Sequence, residues 1–326
     1  MISLFSNRPS WNFFYGFLPG LWVLLFLIAS AAPAFSKQYR IAMITWRGET
    51  TAEKGFIHEL KNTGYDIALA KYNAGQDVNR LQEIITEIQK TPADLIYVFG
   101  TTATKAVLLR VKDTPIVFNV VTSPVESGII ASWESSKNNA TGASNKISTE
   151  NQLKILKKVI PYKTLGIIYN PKEQNSIIQR DIAKRLENTL KFTLKEYLIS
   201  GEKDIPVLMP GMKAEIDAVF LPADSMIIVL GKKIMEKINA YKIPSLSSVG
   251  SMVSEDGVLL GFVPKYYELG RIAARKAILI LNHKKPSDIP SSVLDHYHIS
   301  VNMKTAQEIG IQIPLSVLIM ANQIVR

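Results

Sequence analysis

LGIIYNPKEQNS, residues Leu165 to Ser176, changes character at its midpoint. Leu165–Tyr169 is an apolar run with β-branched and aromatic side chains, the composition of a strand buried on both faces. Asn170–Ser176 is polar and crowded with groups that make directional hydrogen bonds. Helical spacing resumes at Ile177 and runs to Leu190. A buried strand that ends in a polar loop and passes into a helix is the unit of a parallel α/β sheet. In such a sheet the ligand crevice lies beyond the carboxyl ends of the strands.

The same unit recurs on both sides. Upstream, Arg40–Thr45, Ile67–Tyr72, Asp94–Phe99 and Pro115–Val121 read as strands, and Thr51–Thr63 and Val78–Gln89 as helices between them. Another helix is expected after Gly100-Thr101-Thr102, running through Leu109. The segment Lys137–Ser144, KNNATGAS, is polar and turn-rich and predicts a crossing between two lobes. Beyond it a helix over Glu150–Val159 leads back to Leu165. Downstream, strands are expected at Phe192–Ile199, Ala218–Leu221, Ile243–Ser248 and Val258–Val263, and helices at Met226–Tyr241 and Tyr266–Leu281. The fold class is therefore α/β: two Rossmann-like lobes with parallel sheets and a cleft between them.

Composition narrows the function. The chain has 326 residues and no cysteine, which excludes disulfides, thiolate nucleophiles and Cys-held metals. Its formal charge of +10 is scattered apart from short Lys pairs, and no basic run is interleaved with aromatics, so nucleic acid is not an expected partner. Residues 1–36 carry only Arg8 as a charge, then the apolar Gly16–Ile28, then small residues to Ser36. That is the three-part pattern of a secretory signal peptide, with cleavage after Ser36 or after Ala34. The mature protein is expected to be exported and soluble.

Side chains at the expected strand ends share one chemistry. Thr101, Thr102, Thr122, Ser123, Ser176 and Ser225 supply hydroxyls, Asn170 and Asn175 amides, Glu173 and Asp224 carboxylates. Trp46, Tyr169 and Tyr266 stand beside them as contact surface. Helix amino termini after Thr102 and Ser176 would offer free N–H groups to an anion such as a carboxylate. Catalytic patterns fail. Gly100–Lys105 lacks the second glycine of a phosphate loop, and Ser200–Lys203 lacks the companions of an S-x-x-K nucleophile. His296 and His298 share a strand face but have no evident third ligand, so no metal or cofactor is expected.

Seven segments resemble, in family order, the exported ABC-transporter substrate-binding proteins that include tryptophan- and tyrosine-binding members. They are Lys54–Tyr65, Asp94–Val107, Pro115–Ile130, Asn138–Ser144, Gly166–Ser176, Tyr266–Arg271 and Val301–Pro314. The resemblance implies a type I periplasmic-binding fold that closes on a small molecule and delivers it to a membrane permease. It implies one lobe of residues 37–145 plus 263–285 and another of 146–262 plus 286–326. It also implies a pocket drawn from Trp46, Thr101, Thr102, Thr122, Ser123, Asn170, Glu173, Asn175, Ser176 and Asp224, in a monomeric periplasmic protein. The same fold also serves receptors that feed a membrane signalling partner. Two positions depart from the family: Ser123 stands where members usually have Asp, and so does Lys265. Both remove a carboxylate from the expected cleft, so the expected ligand is an amino-acid-like molecule or small organic acid that carries an acidic group and need not carry an ammonium.

Overall fold

The structure, a computed structural model, describes residues 37–294 and 297–326; the expected signal peptide and His296 lie outside them. Thirteen strands are described. The first five are β1 (Tyr39–Thr45), β2 (Ile67–Asn73), β3 (Leu95–Phe99), β4 (Ile116–Asn119) and β5 (Ala140–Ser144). Next come β6 (Thr164–Tyr169), β7 (Thr193–Leu198), β8 (Ala218–Leu221), β9 (Ser245–Ser247) and β10 (Leu260–Pro264). The chain closes with β11 (Ser292–Val293), β12 (Tyr297–Asn302) and β13 (Gln323–Val325). They form a six-stranded sheet in the order β11-β5-β4-β3-β1-β2 and a seven-stranded sheet in the order β13-β12-β10-β9-β8-β6-β7. Every ladder described in the first sheet is parallel. The second sheet is parallel except where β12 runs antiparallel to β10.

Local sequence explains most of these elements. The helix Val78–Lys90 starts where the Asp77 carboxylate accepts from the Asn79 and Arg80 amides. Its Leu81, Ile84, Ile85 and Ile88 repeat at helical spacing and all four are buried. Burial of each side chain stabilises by about 1.5–3 kcal/mol. The strands β3 and β8 are apolar along their length, and β4 up to Asn119, because both faces of each sheet are covered.

Three expectations change. Residues 140–144 of the polar KNNATGAS segment are not a crossing but β5, buried between β4 and β11. Its residues are small because space is short: a Cβ on Gly142 would stand 2.1 Å from the Phe118 carbonyl oxygen. The helix after β6 begins at Gln174, three residues before its apolar spacing shows, and breaks between Arg185 and Glu187. A helix over Ile205–Glu215 has no counterpart in the sequence expectation, because Pro206, Pro210 and Gly211 read as loop. Pro206 sits in the first turn, where a missing N–H is tolerated, and Ile205, Met209 and Met212 hold the helix on the core.

The chain passes between the sheets after Ser144, after Pro264 and between Val293 and Tyr297. Val263 and Pro264 pair with His298 and Tyr297 of the second sheet, whereas Ser292–Val293 pair with Ala143 and Ser144 of the first. Helix Tyr266–Leu281 lies against helix Thr51–Lys61, which follows β1. Glycines allow that approach: a Cβ on Gly270 would stand 1.9 Å from the Ala52 carbonyl oxygen, and one on Gly55 would stand 2.1 Å from that of Tyr267.

Candidate ligand-binding site

The carboxyl end of β1 turns through Trp46 and Arg47, and that of β3 through Gly100, where φ is +92°. A side chain there would be strained, and a Cβ would touch the Trp46 Cβ at 3.4 Å. The helix Thr101–Arg110 starts directly from Gly100 with no side chain capping its amides. After β4, Val120 adopts φ +52°, a conformation that costs a β-branched residue about 1–3 kcal/mol. A chain of buried hydrogen bonds holds it there. The Val120 amide donates to Asn119 Oδ1 at 2.9 Å, Asn119 Nδ2 to the Tyr97 hydroxyl at 3.0 Å, and that hydroxyl to Glu53 Oε1 at 2.6 Å. Glu53 Oε2 in turn accepts from the Thr50 amide, closing the capping box of helix Thr51–Lys61. Burial raises the pKa of both the Glu53 carboxyl and the Tyr97 hydroxyl.

The second sheet presents the quoted stretch. The Asn170 amide donates to Ser176 Oγ at 3.3 Å and to Asp224 Oδ2 at 3.2 Å. Asn170 Oδ1 accepts from the Lys172 amide, the turn that brings the chain to Glu173. Glu173 occupies the cap position of helix Gln174–Arg185 but its side chain does not cap it. Instead Glu173 Oε2 accepts from the Ser225 amide at 3.1 Å. Asp224 caps the next short helix, Ser225–Val229, accepting from the Met226 and Ile227 amides. Asn175 Nδ2 donates to the Ala223 carbonyl at 2.6 Å, tying the two turns together.

The two edges meet around a small cavity lined by residues of both sheets. Of the residues singled out from sequence, Trp46, Thr101, Thr102, Thr122, Glu173, Asn175, Ser225 and Tyr266 line it. Five do not. Tyr169 ends β6 on the core side, its hydroxyl donating to Glu196 with the Arg180 guanidinium 5.0 Å over its ring. Asn170, Ser176 and Asp224 bond to one another behind the wall, and Ser123 turns its carbonyl to Ser127. Lys265 borders a neighbouring groove rather than the cavity. The wall also includes Arg47, Phe99, Val120, Asn145 and Ile228, which no motif marks in the sequence. Asn145 directly follows KNNATGAS, and Arg47 and Phe99 adjoin residues already singled out, so proximity was the one available signal.

Electrostatics single out Glu173. Burial, and then the neighbouring Asp224 charge, push its carboxyl up to about 7, against the pull of the Ser225 donors and the Trp46 indole. The Trp46 N–H acts on that carboxyl yet makes no hydrogen bond of good geometry to any group. Burial likewise raises the Asp224 carboxyl, although four donors oppose it. Among the described residues no group of His, Asp and Glu is arranged to hold a metal ion.

The profile of the ABC transporter substrate binding protein family matches residues 41–325. The chain belongs to this family. Its members bind substrates and do not transform them. This substrate-binding protein is 32% identical over 266 residues to a tyrosine-binding protein of Clostridioides difficile, covering 80% of this chain and 77% of that one. It shares its type I periplasmic-binding fold with a domain from Streptococcus pneumonia solved in complex with L-Trp, at TM-score 0.84 and 24% identity, covering 89% of this chain and all of that one. A ligand-free, open substrate-binding protein with adhesive properties from Clostridium difficile aligns at TM-score 0.67 and 26% identity, over 85% of this chain and 96% of that one. Among the described residues of this binding protein no helix is long and apolar enough to cross a membrane.

Proposed function

We propose that this chain is an exported receptor that captures an amino-acid-like molecule between its two sheets and delivers it to an ABC permease. The observation that carries this reading is the cavity whose wall is shared between the carboxyl edges of both sheets, Trp46, Thr101 and Thr122 from one and Glu173, Asn175 and Ser225 from the other. A site shared in this way is complete only when the halves close, so ligand binding and closure are one equilibrium. Each sheet then heads a lobe, with the passages at 145–148 and 265 as part of the hinge. The better superposition on the L-Trp complex than on the open, ligand-free relative supports a closed arrangement. Secretion is proposed from residues 1–36, with the mature chain starting at Lys37.

Thermal-shift measurement on residues 37–326 tests the ligand reading, because a molecule that binds only the folded state raises Tm. L-Tyrosine, L-tryptophan and other amino acids are expected to raise it in a concentration-dependent way. A full amino-acid panel without effect would remove the amino-acid class. Delivery is tested separately, by whether vesicles carrying the candidate permease take up the ligand only when the loaded receptor is added.

A further inference from the structure

We infer that the ligand is longer than a single amino acid: its head fills the cavity, and an apolar continuation ending in an acidic group lies in the adjoining groove, as in a dipeptide with a free carboxyl end. This deepens the amino-acid-like reading above and rests on it. The groove has a volume of about 800 Å³, within the range of sites that hold drug-sized molecules, whereas the cavity is small. Three segments of chain run from one space into the other. Arg47 lines both, and Glu49 and Thr50 line the groove beyond it. Ile228 lines both, and Val229 follows it into the groove. Tyr266 lines both, with Lys265 and Tyr267 on either side of it in sequence and both in the groove. The groove is thus the outward continuation of the candidate site, and like it draws on both halves of the chain.

Much of the groove wall is apolar and open to water. Val229 is 66% exposed and Tyr267 36%, beside Val249, Val263 and Pro264. Covering such surface in a concave place is favourable, which calls for an apolar group on the ligand. The charges call for an acid. Glu49 is paired with Lys71 at 2.8 Å and Glu268 with Arg271 at 3.3 Å. Among the described residues Glu255 makes no ion pair, and neither do Arg47 and Lys265, so two cations face one carboxylate. The Arg47 guanidinium donates to the Tyr266 hydroxyl at 3.5 Å and lies 5.4 Å over the Phe99 ring, which holds it where cavity and groove meet. His298 adds little charge, because burial and then the Lys265 ammonium favour its neutral form. A carboxylate on the far end of the ligand meets this excess with charge-assisted hydrogen bonds.

The test is calorimetry on residues 37–326 with L-tyrosine, L-tryptophan, the dipeptides L-tyrosyl-L-leucine and L-leucyl-L-tyrosine, and the carboxamides of both dipeptides. At least one dipeptide is expected to bind about tenfold or more tighter than L-tyrosine, the gain from covering one leucine-sized side chain. Its carboxamide is expected to bind about three- to tenfold more weakly than the acid. Lys265→Gln should remove most of that preference for the acid, and Val229→Ser should weaken acid and carboxamide alike by about threefold. Both side chains are exposed, so neither change endangers folding. Dipeptides that bind no tighter than L-tyrosine, or a preference for the acid untouched by Lys265→Gln, would overturn the inference and leave the amino-acid-like reading standing. Binding of none of the probes would overturn both.

Discussion

A carboxyl buried beside another carboxyl favours its proton, and Glu173 is placed that way next to Asp224. Its folded value near 7 lies above the ordinary 4.5, so its contribution to stability is whole below pH 4.5 and is lost as the pH rises through 7. Glu173→Gln cannot lose that contribution. Without ligand, the variant is expected to match wild type in urea unfolding near pH 4.5 and to exceed it by roughly 1–3 kcal/mol at pH 8. Under the amino-acid-like reading, a ligand ammonium brought to Glu173 would favour the charged form and reverse the preference. Affinity for an amino acid should therefore fall as the pH drops from 8 to 5.5, by about tenfold in titration calorimetry, with proton release on binding near pH 6.5. Glu173→Gln should flatten that profile and weaken binding at pH 8. A wild-type profile with no slope would remove Glu173 from the amine.

At the scale of elements, two contacts carry predictions. Helices Thr51–Lys61 and Tyr266–Leu281 approach through glycine, and a methyl at Gly270 meets the Ala52 carbonyl at 1.9 Å. Backbone cannot yield there without parting the helices, so Gly270→Ala is expected to cost about 1–3 kcal/mol despite the better helix propensity of alanine. A Tm equal to or above wild type would contradict the packing. The second contact is the Glu53–Tyr97–Asn119–Val120 chain, which spans helix Thr51–Lys61, β3 and β4. Asn119→Ala leaves the Val120 amide without its acceptor and takes a donor from the Tyr97 hydroxyl, which still bonds Glu53, and should lower stability by about 1–3 kcal/mol. It should also weaken ligand binding, because Val120 lines the cavity and keeps its positive φ through that bond.

Across the whole molecule, the cleft is bridged by Lys105 of the first half, whose ammonium donates to Gln174 Oε1 of the second. That contact exists only when the two sheets stand close. Lys105→Ala should favour separation and lower affinity by about two- to fivefold, the worth of one half-buried hydrogen bond. Small-angle scattering should show a smaller radius with saturating ligand than without. An unchanged radius in both states would argue against closure on the ligand.

The alternation of apolar runs with helical spacing was enough to give an α/β chain with two sheets, because strands covered on both faces must be apolar throughout and their helices must show one apolar stripe. The polar ends of those strands were legible for the same reason, and eight of the residues they marked stand on the cavity wall. Strand β5 was hidden because its small residues answer to the neighbouring strand, Gly142 to the Phe118 backbone far back in the sequence. Tyr169, Asn170, Ser176 and Asp224 could not be sorted from Glu173 and Asn175 by sequence, since all six lie at or beside strand ends of the same composition. The fold sorted them, by turning some groups toward one another and leaving others facing the gap. Residue types and their periods determined which elements form; which acceptors stay empty, Asn145 Oδ1 above all, was decided only when two distant sheets closed over them and shut out water.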